Sequence, residues 1–161
     1  MECDIIIPVW NQRAVTEECA RSILENTAGD YRIIVIDNAS ADETRQYLER
    51  LVSERSSRVM LIRNAVNEGF IKAVNKGIEA SAAEYVCLLN NDTLVFDGWL
   101  TEMIKVAQAD KTIGIVNPSS NNLGQRPAEG EALHDYAAKL RPLSGRSVEL
   151  GSAIGFCMKI S

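Results

Sequence analysis

The stretch Glu84-Tyr-Val-Cys-Leu-Leu-Asn-Asn-Asp-Thr93 decides how the rest of the chain is interpreted. Tyr85–Leu89 is a short apolar run that ends at Asn90, Asn91 and Asp92, a pattern typical of a buried strand that reaches the edge of a sheet. Ligands of open α/β sheets bind outside the carboxyl ends of the strands, so Asp92 is predicted to lie where a ligand binds. The alternative is a turn without further function, because Asn and Asp favour turns.

Strands and helices alternate on both sides of this stretch. Apolar runs predict further strands over residues 4–9, 31–37, 58–63, 112–116 and 148–160, and helical spacing predicts helices over 14–28, 42–53, 70–83, 98–110 and 131–140. Gly77, inside the third helix, is expected to cost about 1 kcal/mol relative to alanine. This alternation predicts a single α/β domain over residues 1–161, a three-layer sandwich whose mostly parallel central sheet is covered on both faces.

The composition excludes several classes of protein. Of the 161 residues, 46% are hydrophobic and 24% charged, which suits one globular domain, and a net charge of −5 disfavours a nucleic-acid partner. No apolar run approaches the length of a membrane span, and the amino terminus lacks a signal-peptide pattern. The four scattered cysteines show no zinc-binding spacing. We therefore expect a cytoplasmic protein that is at most peripheral at the inner membrane face.

Polar clusters follow three of the predicted strands. They are Pro8-Val-Trp-Asn11, Asp37-Asn-Ala-Ser40 and Asn90-Asn-Asp-Thr93. Because parallel strands end at one rim of a sheet, the three clusters are expected to lie together and to form a binding site.

These clusters carry a family resemblance. The segments Ile5-Ile-Ile-Pro-Val-Trp-Asn11, Val35-Ile-Asp-Asn-Ala-Ser40, Asn67-Glu-Gly-Phe-Ile-Lys-Ala-Val-Asn-Lys-Gly-Ile78 and Leu88-Leu-Asn-Asn-Asp-Thr93 occur in the order and spacing of a known family. The chain resembles the nucleotide-binding half of an inverting family-two glycosyltransferase with the GT-A (Rossmann-like) fold, and most of all the branch that includes bacterial rhamnosyltransferases. The resemblance covers residues 3–118, and 151–160 more loosely.

The resemblance implies a metal-dependent nucleotide site at the end of the fourth strand. Asn90-Asn91-Asp92 stands where the family has its Asp-x-Asp motif, with Asn90 in place of the first aspartate. Asp92 is then the anionic ligand of Mn²⁺ or Mg²⁺, with diphosphate oxygens and water completing the shell. Asn90 and Asn91 are expected to contact the nucleotide, Asn91 through the ribose hydroxyls.

The resemblance also assigns the first two clusters to the nucleotide base. Pro8 and Asn11 belong to the segment in which Trp10 is expected to pack on the base, whereas filling of the core is the alternative role for Trp10. Asp37 and Asn38 are expected to read the edge of a pyrimidine, because a carboxylate accepts from a ring N–H and an amide both donates and accepts. Capping of the following helix is the alternative for this pair.

The start of the third helix is expected to bind the donor as well. Gly69 and Lys72 suit an anion at a helix N-terminus, although a solvated surface lysine is the alternative. Asn75 lies one position from the apolar side of the helix, so we expect it to bond to the polar strand ends.

The catalytic base is not assigned. The family takes its base from an acidic residue downstream of the part that Gly151–Ile160 resembles, so we expect this domain to lack the acceptor and base segment. The expected donor is a UDP- or dTDP-sugar, the expected acceptor is a saccharide, and the expected process is cell-surface polysaccharide synthesis. Uncovered apolar surface near Phe156 and Ile160 favours self-association.

Three other functions were weighed. A dinucleotide-binding oxidoreductase requires a Gly-x-Gly-x-x-Gly motif after the first strand, which is absent. A nucleotidyltransferase requires a basic, glycine-rich loop there, and residues 10–13 contain no glycine. A non-catalytic domain that binds nucleotide-sugars or a protein partner remains an alternative that only binding and turnover assays distinguish.

Overall fold

A computed structural model describes residues 2–121 and 127–149, and the backbone of 157–160. The strands are β1 (Cys3–Val9), β2 (Tyr31–Asp37), β3 (Val59–Arg63), β4 (Tyr85–Leu89), β5 (Ile115–Val116) and β6 (Cys157–Ile160). The helices are α1 (Arg13–Asn26), α2 (Asp42–Glu54), α3 (Phe70–Glu79), α4 (Trp99–Ala109) and α5 (Leu133–Leu140), and a short 3₁₀ helix follows α5.

The described strands form one sheet in the order β3-β2-β1-β4-β6-β5. Strands β3, β2, β1 and β4 are parallel neighbours, whereas β6 runs antiparallel to both β4 and β5. The predicted α/β fold with a mostly parallel sheet is therefore confirmed. The loops that follow β1, β2, β3 and β4 all leave the sheet at one edge, which we call the rim.

Hydrophobic side chains cover both faces of the sheet. One face packs against α1, α2 and α4, whose contributions include Ile23, Leu48 and Ile104. The other face packs against α3 through Ala73 and Val74, which contact the isoleucines of β1 and β2. This arrangement is the three-layer sandwich expected from the apolar runs. No helix in the described ranges is long and apolar enough to cross a membrane.

Two predicted elements are shorter than expected. The third helix ends at Glu79 rather than at residue 83, and Ser81 then donates from its Oγ to Asp4 Oδ2 at 2.6 Å. The fifth strand covers two residues rather than 112–116, because the Asp110 carboxylate accepts bonds from the Thr112 N–H and hydroxyl and holds them in a turn. Of the predicted strand over 148–160, residues 157–160 form β6, residues 148 and 149 are not in a strand, and the side chains of Phe156 and Ile160 lie outside the described residues.

Gly77 allows α3 to lie close to the sheet. A Cβ at this position would overlap Ile6 Cγ2 and would lie 3.2 Å from two further atoms of Ile6, which is fully buried in β1. Helix propensity by itself favours alanine over glycine at position 77. The close contact with Ile6 outweighs this preference, because it leaves no space for a Cβ.

Gly77→Ala is expected to destabilise the protein by about 1–3 kcal/mol, the usual range for overpacking a core. Urea unfolding monitored by circular dichroism measures this change. Ile6→Ala should cost less in the Gly77→Ala background than in the wild-type protein, because the two residues contact each other. A Gly77→Ala variant as stable as the wild type would show that α3 shifts away from β1 at little cost.

Candidate functional site at the rim

The sheet order places the candidate residues around one crevice. From β1 the chain steps outward to β2 and β3, and then returns to β4 on the other side of β1. Open α/β sheets bind ligands at such a reversal. The crevice between the ends of β1 and β4 is therefore flanked by the loop that carries Trp10 and by the turn that carries Asp92.

The turn after β4 presents a carboxylate to solvent. Thr93 N donates to Asn90 O at 3.2 Å, which closes the turn, and Asp92 is exposed at its tip. Within the part of the chain that the structure describes, the Asp92 side chain has no hydrogen bond or ion pair. Asn90 and Asn91 are half-buried.

Helix α1 holds this turn from behind through small polar side chains. The Asn91 amide nitrogen donates to Thr16 Oγ1 at 2.8 Å, and Val95 N donates to Ser22 Oγ at 3.2 Å. Between them, Cys19 Sγ donates to Asn90 O at 3.6 Å, a weaker contact. These residues were not predicted as part of the site, although their i, i+3, i+6 spacing on the buried side of α1 is a signal that could have identified them.

The loop after β1 exposes its aromatic side chain. Trp10 is 57% exposed, so the alternative role of core filling is wrong. Pro8 is the half-buried penultimate residue of β1. Asn11, with a φ of 57°, is tied to the next loop, because its N–H donates to Ser40 Oγ and its Oδ1 accepts from Ala41 N, both at 2.8 Å. Asn11 therefore joins two loops of the rim.

Asp37 is fully buried at the end of β2. Its Oδ1 accepts from Ser40 N at 2.8 Å, and its Oδ2 is paired with Arg63 at the end of β3. The carboxylate thus stabilises the turn that precedes α2. The alternative role of capping the helix is wrong for Asp37 and Asn38, because the N-cap of α2 is Ala41 and no side chain of the described residues caps the helix. Contact with a nucleotide base stays a prediction for Asp37.

Asn38 is 4% exposed and organises the loop after β3. Its Oδ1 accepts from Asn64 Nδ2 at 2.9 Å and from Glu68 N at 3.0 Å. Its Nδ2 donates to Asn67 Oδ1 at 2.7 Å and to Gly69 O at 3.3 Å. All of the amide's bonding positions are used within the chain, so this side chain supports the rim from beneath.

Gly69 and Lys72 lie at the start of α3, and anion binding there stays a prediction. Gly69 immediately precedes the helix with a φ of 83°, and Lys72 is exposed in its first turn. The expected bond from Asn75 to the strand ends is wrong, because Asn75 is exposed. Lys76 makes that bond instead, reaching Asn64 Oδ1 at 2.6 Å.

Glu68 completes the group beside the start of α3. The Lys76 ammonium lies 2.5 Å from Glu68 Oε2, and its hydrogen bond holds the pKa of Glu68 below the usual value. This pair was not predicted from the sequence. The loop after β3 is consequently tied to α3 at one end and to Asn38 in its middle.

The donor set at the rim fits a hard divalent cation. Among residues 2–121 and 127–149, no three side chains of the His, Cys, Asp and Glu types form a cluster that could bind a metal by itself. One exposed carboxylate beside two amide side chains offers oxygen ligands only, which suits Mg²⁺ or Mn²⁺ when phosphate oxygens and water supply the other positions. The rim therefore fits a cation that arrives with a phosphate ligand.

A groove lies away from the rim. This groove, of about 530 Å³ between α1 and α2, is lined mainly by charged residues, including Arg21, Arg50 and Arg58, and by Tyr31 and Tyr47. None of the candidate residues lines it. We base the candidate site on the rim because the exposed aromatic ring and the exposed carboxylate occur there.

Comparison with known proteins assigns a family to this architecture. The sequence matches the family model described as Glycosyl transferase family 2 over residues 4–156. EpsJ of Bacillus subtilis (strain 168), named an uncharacterized glycosyltransferase, is 27% identical over 132 residues, which cover 80% of this chain and 38% of EpsJ. An uncharacterized glycosyltransferase of Haemophilus influenzae is 28% identical over 100 residues, covering 62% of this chain and 31% of the relative. The chain thus spans less than half the length of these relatives.

Solved structures show the same fold. The mannosyltransferase PcManGT from Pyrobaculum calidifontis, in complex with GDP-Man and Mn²⁺, aligns with a TM-score of 0.75 at 21% identity, over 99% of this chain and 44% of that one. Residues 1–349 of Staphylococcus aureus TarS, in complex with UDP-GlcNAc, align with a TM-score of 0.64 at 18% identity, over 78% and 37% of the two chains. These likenesses identify the GT-A type of α/β fold.

Proposed function

The chain belongs to glycosyl transferase family 2, and we propose that it binds a nucleoside diphosphate sugar together with Mn²⁺ or Mg²⁺ for transfer of the sugar to a saccharide acceptor. One observation carries the proposal. Asp92 is an exposed carboxylate without a partner in the described part of the chain, and it follows β4, the parallel neighbour of the strand β1 that leads to the exposed ring of Trp10.

Each exposed group has a separate task in this proposal. The cation, when bound, neutralises the negative charge that develops on the leaving diphosphate. Asp92 retains the cation, and Trp10 offers a flat apolar surface to the base. Lys72, in the first turn of α3, adds positive charge at a helix N-terminus, which favours a phosphate group. The buried amides and carboxylates keep these three groups in place.

We keep a pyrimidine donor, UDP- or dTDP-sugar, as the proposed substrate class. Asn38 N donates to Val9 O at 2.8 Å, which sets the end of β2 beside the strand end that leads to Trp10. Because the side chains of Asp37 and Asn38 are bonded within the chain, the pyrimidine class rests on the family resemblance. Inversion at the anomeric carbon is proposed from the resemblance to inverting enzymes, and the anomeric configuration of the product measured by NMR tests it. The solved relatives named above carry GDP-Man in one case and UDP-GlcNAc in the other, so both types of base belong in the test.

Calorimetric titration with UDP, dTDP and GDP, each with Mn²⁺ and with EDTA, tests the proposal. We expect the pyrimidine nucleotides to bind, and to lose at least about 10-fold in affinity in EDTA, because one exposed carboxylate and the phosphates must share the cation. Equal affinity with and without EDTA would contradict the metal role of the rim. Tighter binding of GDP than of UDP or dTDP would contradict the pyrimidine assignment.

A further inference from the structure

Thr16 contacts both halves of the crevice. This threonine is 3% exposed on the inner side of α1, in the first turn of the helix. Its hydroxyl donates to Gln12 O at 3.0 Å, in the loop that carries Trp10, and accepts from Asn91 Nδ2 at 2.8 Å, in the turn that carries Asp92. Within the described residues, its side chain thus connects the loop after β1 with the turn after β4.

The conformations of the loop after β1 and of the turn after β4 depend on bonds of this kind. Gln12 has a φ of 61°, in the left-handed region that non-glycine residues rarely adopt, and its carbonyl accepts both the Thr16 hydroxyl and the Thr16 N–H. On the other side, Asn91 immediately precedes Asp92, whose own side chain has no partner in the described residues. The position of the Asp92 carboxylate therefore depends on what holds its neighbours.

We propose that Thr16 is a positioning residue that fixes the position of the Asp92 turn relative to the Trp10 loop, so that one nucleoside diphosphate can contact both. The inference rests on the proposed function, because it assigns Thr16 to the same metal and nucleotide site. Ser22 and Cys19 contact other parts of the turn, and Thr16 also donates to Gln12 O in the loop after β1.

The hydroxyl and the bulk of Thr16 can be separated by substitution. Thr16→Val keeps the shape and removes both hydrogen bonds, while Thr16→Ser keeps the hydroxyl and removes a methyl group. Thr44→Val is the matched control, because Thr44 is also 3% exposed in the first turn of a helix, α2, and its side chain has no hydrogen bond to the Asp92 turn or the Trp10 loop within the described residues. The three variants allow a loss of packing to be distinguished from a loss of positioning.

Two measurements on the purified chain test the proposal. Hydrogen exchange without ligand follows the Thr93 amide, which closes the Asp92 turn, and we expect at least about 5-fold faster exchange in Thr16→Val but not in Thr16→Ser or Thr44→Val. Calorimetry with Mn²⁺ and UDP or dTDP should show an affinity about 10-fold lower for Thr16→Val, within the range for residues that orient metal ligands. Thr16→Ser should remain within about 3-fold of the wild type.

The outcomes separate this inference from the proposed function. Unchanged exchange at Thr93 in Thr16→Val, or wild-type affinity per folded molecule, would overturn the positioning role while leaving the metal-nucleotide site intact. An equal loss of affinity in Thr16→Ser would also overturn it, because the hydroxyl would then not be the cause. If the wild type binds none of the nucleotides with Mn²⁺, the proposed function fails, and the positioning role of Thr16 fails with it.

Discussion

Asp92→Asn is expected to lower the affinity for a nucleoside diphosphate with Mn²⁺ by at least about 100-fold, beyond the 10–100-fold typical of residues that only support a metal ligand. The substitution keeps the size of the side chain and removes the one negative charge that the turn after β4 presents to the crevice. A neutral amide is a weaker ligand than a carboxylate, because the side chain must compete with water for the divalent cation.

Folding should be nearly unaffected by the same substitution. Asp92 is exposed and has no partner in the described residues, so no buried group loses a bond when it is replaced. Surface substitutions of this kind change the free energy of unfolding by no more than about 0.5 kcal/mol. Thermal unfolding of Asp92→Asn should therefore match the wild type, and the loss of affinity can be assigned to the site.

The control for Asp92→Asn is the same change at the opposite end of the sheet. Asp30→Asn removes an exposed carboxylate in the loop before β2 and should leave nucleotide affinity unchanged. In EDTA, wild type and Asp92→Asn should bind nucleotide equally weakly, because Asp92 acts only through the cation. Wild-type affinity of Asp92→Asn in the presence of Mn²⁺ would show that another group retains the metal.

The largest expected effect on stability belongs to Asp4. This carboxylate is fully buried at the start of β1 and accepts from Arg32 Nε and an Arg32 terminal nitrogen at 3.0 and 2.7 Å, and from the Ser81 hydroxyl at 2.6 Å. Asp4→Ala removes the carboxylate partner of the 27%-exposed Arg32 side chain, which keeps a 3.5 Å bond to Ala80 O, and breaking a buried pair costs about 3–5 kcal/mol. Urea unfolding measures the change.

Two further variants distinguish the contribution of the buried Asp4–Arg32 pair from that of an exposed ion pair. Glu54→Gln removes an exposed partner of Arg50 at 4.0 Å and should cost no more than about 0.5 kcal/mol. The double variant Asp4→Leu with Arg32→Leu should lose less stability than Asp4→Ala alone, because no uncompensated charge remains. A loss below about 1 kcal/mol in Asp4→Ala would show that Arg32 finds other partners or water.

The Asp4–Arg32 pair predicts how the free energy of unfolding depends on pH in the acidic range. Burial raises the pKa of Asp4, but the hydrogen bonds and charge of Arg32, with the bonds from Ser81 and Ala82, lower it below 3.8 overall. Because the pKa in the folded protein is lower than in the unfolded chain, the stabilisation is complete above the unfolded value and is lost as the pH falls below about 3.8. Asp4→Ala should flatten this part of the stability curve.

The local pattern of the sequence determined most of the fold. Apolar runs of strand length and helical spacing of apolar residues are set by neighbours within a few positions, which is why β1 to β4 and α1 to α4 were predicted with small errors at their ends. The polar ends of β1, β2 and β4 followed from the same pattern, and so did the position of Asp92. The shortened α3 and β5 were not predictable, because the Ser81–Asp4 bond spans 77 residues and the Asp110 turn competes with a strand.

Only the tertiary structure decided which polar side chains remain free for a ligand. Asp37 is paired with Arg63 across 26 residues, Asn11 meets Ser40 across 29, and Asn91 meets Thr16 across 75. Each carboxylate or amide has few bonding positions, so a partner that is distant in sequence removes it from the solvent-facing set. Trp10 and Asp92 lie in the same polar clusters of the sequence, yet they remain exposed because the strand order leaves them at the open crevice between β1 and β4.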